Sequence, residues 1–129
     1  MIAVDTNVVV RFLTHDHPGQ AAKAVSLFQS QEIWLSKTVI LETHWVLNSL
    51  FDFPPQTINH ALERLLALPN VRAEDATSVR QALDWCAHGL EFADALHLAS
   101  RGPASRFVTF DARFSKKALD AGIGVIEPL

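Results

Sequence analysis

The sequence predicts an α/β fold: a parallel sheet with helices on both faces, an α/β/α sandwich. Three observations predict it. Short apolar runs recur between segments whose apolar residues follow helical spacing. Where they are clear, those runs are continuous instead of alternating, as in strands buried on both faces. Capping residues, Pro and Gly separate the segments, giving the order strand, helices, strand, helices, repeated.

The chain opens MIAVDTNVVVRF, and Ile2–Val4 reads as a buried strand. Thr6 or Asn7 caps a helix to about Leu13, and THDHPGQ reads as a turn punctuated by Pro18 and Gly19. His15 and His17 sit in that polar turn as loop residues. Ala21–Gln29 reads as a helix with Ala21, Ala24, Val25 and Phe28 on one face, and Ile33–Leu35 as the next strand. Ser36 and Thr38 are helix-capping types, and helix runs from Thr38 to about Leu50. The stretch FDFPP ends it, because Pro54 and Pro55 cannot continue it. Helix follows over Thr57–Ala67, with Ile58, Ala61, Leu62 and Leu65 in register, then a strand over Val71–Ala73. Asp75–His88 is helical and stops at Gly89, with Val79, Leu83 and Cys86 aligned as core positions. Phe92–Arg101 is helical and stops at Gly102 and Pro103; Phe107–Phe110 is a strand. Ala112–Ala121 is the last helix, ending at Gly122, and Val125–Ile126 an edge strand before Pro128.

A chain of 129 residues fits one domain, and a hydrophobic share of 49% is enough for a real core. A formal net charge of −3 excludes the global basic signature of a bulk nucleic-acid binder, so any nucleic-acid site is a local patch. Cys86 is the only cysteine, which rules out an internal disulfide and is simplest in a reducing compartment. The N-terminus lacks the basic and apolar regions of a signal peptide, and no apolar run approaches the ~20 residues of a membrane span. These features lead to the expectation of a cytoplasmic domain with no membrane partner.

Ligand sites in parallel sheets lie at the carboxyl ends of strands. Asp5 ends the first strand and Asp111, in VTFDARF, the fourth. Glu42, in VILETHWVL, lies in the first turns after the second strand; Asp94, in EFADALHLA, lies in the first turn of its helix. Each has a plain structural reading: Asp5 as an Asx-turn, Asp94 as a partner of the helix dipole, Asp111 as a helix cap. Glu42 fits this least well, lying past the cap amid Val39, Ile40, Leu41 and Trp45. A parallel sheet would bring these positions together, and several carboxylates in one cleft cannot all stay ionised without a cation. Hard oxygen donors of this kind suit Mg²⁺ or Mn²⁺.

MIAVDTN, VILETHWVL, EFADALHLA and VTFDARF, in that order, resemble the PIN-domain ribonucleases, and most of all the VapC-type toxins of bacterial toxin–antitoxin pairs. The resemblance spans Ile2 to Pro128. It implies a PIN-like α/β/α sandwich with a central, mainly parallel five-stranded sheet in a single domain over residues 1–129. It also implies a Mg²⁺- or Mn²⁺-dependent endoribonuclease. Asp5, Glu42 and Asp94 then match the acidic triad and Asp111 the fourth acidic position, as catalytic metal ligands. Thr6 and Asn7 match the polar pair after the first aspartate, and Thr109 the hydroxyl residue before the fourth. Members often carry Asp where this chain has Glu91, whose longer side chain can still reach the site.

The implied reaction is in-line hydrolysis of an RNA phosphodiester by water that one or two divalent ions activate, leaving a 5′-phosphate and a 3′-hydroxyl. Arg11, Lys37, Arg113, Lys116 and Lys117 follow the acidic motifs and are candidates to bind the RNA backbone, or are a solvated surface. Phe110 and Phe114 are candidates to stack on a base, with core packing the simpler expectation. His97 shares a helical face with Glu91 and Asp94, but LHLA is an apolar run and a hydrogen-bonded core histidine is simpler. The implied partners are an RNA substrate, a cognate antitoxin whose tail crosses the acidic groove, and a second copy in a homodimer. Apolar surface around Trp45, Leu47, Phe51 and Phe53 is the candidate contact, with interior packing of Trp45 and Leu47 the other reading.

Other classes fit less well. A receiver module needs an acidic pair after the first strand and an Asp ending the third. This chain has Thr6 after Asp5 and only Val71–Glu74 before a helix. A haloacid-type phosphatase needs Asp where Asn7 stands, and no GxxxxGK phosphate loop is present. The remaining alternative is a PIN-fold binding partner with weak nuclease activity, acting with its antitoxin at DNA.

Overall fold

The computed structural model describes every residue from Met1 to Leu129. The chain divides into two compact units, Met1–Ala76 and Thr77–Leu129.

The first unit begins with strand β1 (Ile2–Ala3), which stops early because the chain turns at once into helix α1 (Thr6–Thr14). Helix α2 (Pro18–Ser30) begins at the expected turn, with Pro18 in its first turn and His17 as its cap. The His17 Nδ1 accepts a hydrogen bond from the Gln20 amide at 3.1 Å, which makes this histidine more than a loop residue. Phe12 and Phe28 stack with ring centroids 4.1 Å apart and join the two helices. Strand β2 (Ile33–Leu35) follows, then α3 (Lys37–Ser49), α4 (Pro55–Leu66) and β3 (Val71–Ala73). Pro55 opens α4 for the same reason as Pro18 opens α2: its missing N–H has no helical partner there anyway.

The three strands pair in parallel in the order β1-β2-β3, with Ile2 opposite Ile33 and Ile33 opposite Val71. Each parallel step is made by a pair of helices, the connection such pairing requires. Val9, Val10, Ile33, Leu35, Ile40, Leu47, Ile58 and Leu62 are fully buried in this unit. Beside them, between α3 and α4, the His44 Nε2 meets the Asn59 Oδ1 at 2.9 Å out of contact with water.

The second unit holds α5 (Ala76–Ala87, whose first residue closes the first unit), α6 (Phe92–Ala99), β4 (Phe107–Thr109), α7 (Ala112–Asp120) and β5 (Ile126–Pro128). Gly89 leaves α5 with φ of 113°, a conformation that needs glycine. β4 and β5 pair in parallel across α7, with Phe107 opposite Ile126 and Thr109 opposite Pro128. Val79, Leu83, Ala95, Leu98 and Ala118 are fully buried, and Cys86 is buried as a core residue.

The α/β character is as expected, but the single five-stranded central sheet is not what forms. The strands make a three-stranded and a two-stranded parallel sheet. The reason is strand length. β1 spans two residues, both exposed, and pairs only with β2. β4 spans three residues, leaves Val108 48% exposed and pairs only with β5. Such short runs offer few ladder bonds. No helix is long and apolar enough to cross a membrane.

Candidate functional site

The acidic residues fall into two groups, one in each unit. In the first, Asp5 is extended (φ −80°, ψ 162°) and caps α1, its Oδ1 accepting the Thr6 amide at 2.8 Å. Capping and a strand-end position are thus met by one residue. The backbone turn sends the Thr6 side chain inward, where it is 4% exposed. Its hydroxyl donates a short hydrogen bond to the Glu42 Oε1. Glu42 lies in the second turn of α3, whose start is set by Ser36 as cap, the Ser36 Oγ accepting the Val39 amide at 3.2 Å. The hydroxyl after the first aspartate therefore holds a carboxylate from a different helix. Asn7 is exposed and faces a groove of about 290 Å³ between α1 and α2, lined also by Arg11, Gln20 and Lys23.

In the second unit, Asp94 occupies the first turn of α6, three residues after its cap Glu91. Its carboxylate is half-buried and no group of the protein hydrogen-bonds it. Burial, and then the neighbouring charges of Glu91 and Asp111, push its pKa above the ordinary 3.8; His97 and Lys117 oppose that rise. Asp111 caps α7, its Oδ1 accepting the Phe114 amide at 3.0 Å. The Asp111 amide in turn donates to the Thr109 hydroxyl at 3.0 Å, so Thr109 fixes the turn that presents the aspartate.

The cations divide. Arg11 is held by Asp16 at 3.1 Å and by Gln20 at 2.8 Å, and Lys37 by Asp75 at 3.0 Å. Arg113 and Lys116 are exposed on α7 without an ion-pair partner. His97 is exposed, which corrects the expectation of a core histidine: Ala95, Leu96 and Leu98 turn inward and leave it outside with Glu91. Of the two phenylalanines, Phe114 packs inside against Phe107, while Phe110 is 84% exposed. Leu47 is buried, whereas Trp45 is 59% and Phe53 37% exposed. Lys23, on the groove wall, escaped the sequence reading, since a lysine in AAKAV reads as an ordinary solvated helix residue.

The model of the PIN domain family matches residues 2–119. The chain belongs to the PIN domain family. This PIN domain family is one of nucleases, generally dependent on a divalent metal. No curated protein matches the chain at a significant level. The PIN domain's donors suit such an ion in kind: hard carboxylate oxygens, with a half-buried, unpartnered Asp94 among like charges. In spacing, no three of its His, Cys, Asp or Glu side chains stand close enough to hold an ion.

Proposed function

We propose that this PIN domain is a metal-dependent endoribonuclease and the toxin of a bacterial toxin–antitoxin pair, the whole chain working as one domain. The observation that carries the nuclease reading is Asp94, a half-buried carboxylate with no hydrogen-bond partner, beside Glu91 and Asp111. Such a group costs stability unless a cation accompanies it.

In this reading Asp5 and Glu42 of the first unit, and Asp94 and Asp111 of the second, would be the carboxylates that serve Mg²⁺ or Mn²⁺, with Glu91 a further candidate beside Asp94. The ion supplies Lewis-acid activation of water and of the phosphoryl group. The chain's own residues do the positioning. Thr6 orients Glu42 through its hydroxyl, and Thr109 and the α7 amides orient Asp111. Arg113 and Lys116 neutralise the RNA backbone, and Lys117 offsets negative charge beside Asp94. Arg11 and Lys37 contribute once their present carboxylate partners give way to phosphate. Asn7 stands by to orient water or substrate at the start of α1. The proposed protein partners are an antitoxin and a second copy of the chain, with the exposed Trp45 and Phe53 as contact surface.

The test is cleavage of total bacterial RNA by the purified chain, with Mg²⁺ or Mn²⁺ and with chelator, beside Asp94→Asn. Discrete metal-dependent products that the variant does not give support the reading. A folded chain that binds metal and cuts nothing sinks it, and leaves the binding role at DNA.

A further inference from the structure

Among the large apolar residues Phe110 is the most exposed, at 84%. Single exposed apolar side chains are common and need no explanation by themselves. Phe110 differs in where it is mounted. It is the one residue between the end of β4 and the α7 cap Asp111.

Both its neighbours are pinned. The Thr109 carbonyl accepts the Leu129 amide at 2.8 Å, and its hydroxyl accepts the Asp111 amide at 3.0 Å. The Asp111 carboxylate accepts the Phe114 amide at 3.0 Å. The backbone on either side of Phe110 is therefore fixed, and the ring projects into water from a rigid base. Little conformational freedom is lost when something lies on it. The cations nearby in sequence are those without partners: Arg113 and Lys116 on the first turns of α7, against the paired Arg11 and Lys37.

An exposed π-face with unpaired cations close by in sequence matches the two parts of a single-strand nucleic-acid platform, a ring to stack on and positive charge for the backbone. We propose that Phe110 is a base-stacking residue for single-stranded RNA, seating the nucleotide next to the phosphate presented to Asp111 and Asp94. The ring acts on binding and register, not on the chemistry. This rests on the nuclease reading above and names how that site holds its substrate.

The experiment compares the wild-type chain with Phe110→Ala, Phe110→Leu and Phe110→Trp. Binding is read by anisotropy of a labelled oligoadenylate of about 12 nucleotides, in chelator so that nothing is cut. Inorganic polyphosphate is the second probe, since it has charge and no bases. Phe110→Ala and Phe110→Leu are expected to weaken oligoadenylate binding by about 5- to 100-fold, the range of one base–aromatic stack. Phe110→Trp is expected to restore it, and polyphosphate binding to stay within about twofold for all three. With Mg²⁺ and RNA, Phe110→Ala should raise KM more than it lowers kcat.

Unchanged oligoadenylate binding by a Phe110→Ala chain that still cuts RNA overturns the stacking role alone. So does an equal loss for polyphosphate, or a changed oligomeric state with RNA affinity intact, which would give the ring to a second copy. A folded wild-type chain that neither binds oligoadenylate nor cuts RNA overturns the nuclease reading and the stacking role together.

Discussion

Asp94 holds its proton more tightly in the folded chain than the ordinary value of 3.8 allows, first through burial and then through Glu91 and Asp111. Between that value and the raised one, the folded state binds more protons than the unfolded state. Stability contributed by this group therefore falls as pH rises through that window. At neutral pH the ionised carboxylate is a cost. Asp94→Asn is expected to raise Tm at neutral pH and remove the acid-to-neutral decline, while metal-dependent RNA cleavage falls below detection. Thermal melts across that pH range, beside the cleavage assay, check both halves. The carboxylate positions were legible as residues because Asp and Glu amid apolar runs need a reason. The exposure of His97 was not legible, because LHLA reads as a buried run until the helix direction is known.

At the scale of elements, the capping role of Asp111 can be separated by substitution from its proposed role as a ligand. Asp111 caps α7 through the Phe114 amide, a role that Ser also fills. Asp111→Ala is expected to cost about 0.5–2 kcal/mol and Asp111→Ser much less, while both abolish cleavage. Urea unfolding of the two variants, with the RNA assay in parallel, distinguishes cap from ligand. The α3–α4 hairpin is pH-sensitive in the opposite sense to Asp94. Burial holds the His44 pKa below the ordinary 6.5, against the raising effect of the Asn59 hydrogen bond. The unfolded chain thus takes up the proton first, and stability present above 6.5 is lost as pH falls toward the folded-state value. His44→Leu is expected to cost about 1–3 kcal/mol by leaving the buried Asn59 carbonyl unpaired. His44→Leu with Asn59→Leu should recover most of that and flatten the decline, as read by unfolding at neutral and mildly acidic pH. Helix interiors were legible from apolar spacing. The starts at Pro18 and Pro55 were not, because proline marks a helix's first turn and a loop alike.

At the scale of the whole molecule, an ion bound at the proposed site would be linked to folding, because it would bind the folded chain and not the unfolded one. Saturating Mg²⁺ or Mn²⁺ is expected to raise Tm, by about 2.7 kcal/mol of added stability at a hundredfold excess over Kd. The same addition to Asp94→Asn should leave Tm unchanged. Scanning fluorimetry against a chelator control reads the difference, and an equal rise in both proteins would place the ion elsewhere.

The sequence by itself determined the α/β class, the parallel pairing and that helices follow the strand ends, though it put the first cap at Thr6 or Asn7 where Asp5 is the cap. It did so because apolar period, capping chemistry and crossover length are local properties of the chain. Only the tertiary structure decided that five strands make two sheets, that Thr6 holds Glu42, that Arg11 and Lys37 are already paired, and that Phe110 stands in water. Each of those depends on a partner distant in sequence, or on the lack of one. No local pattern specifies which surfaces meet, since that is settled by packing and by the competition among carboxylates for hydrogen-bond donors and charge.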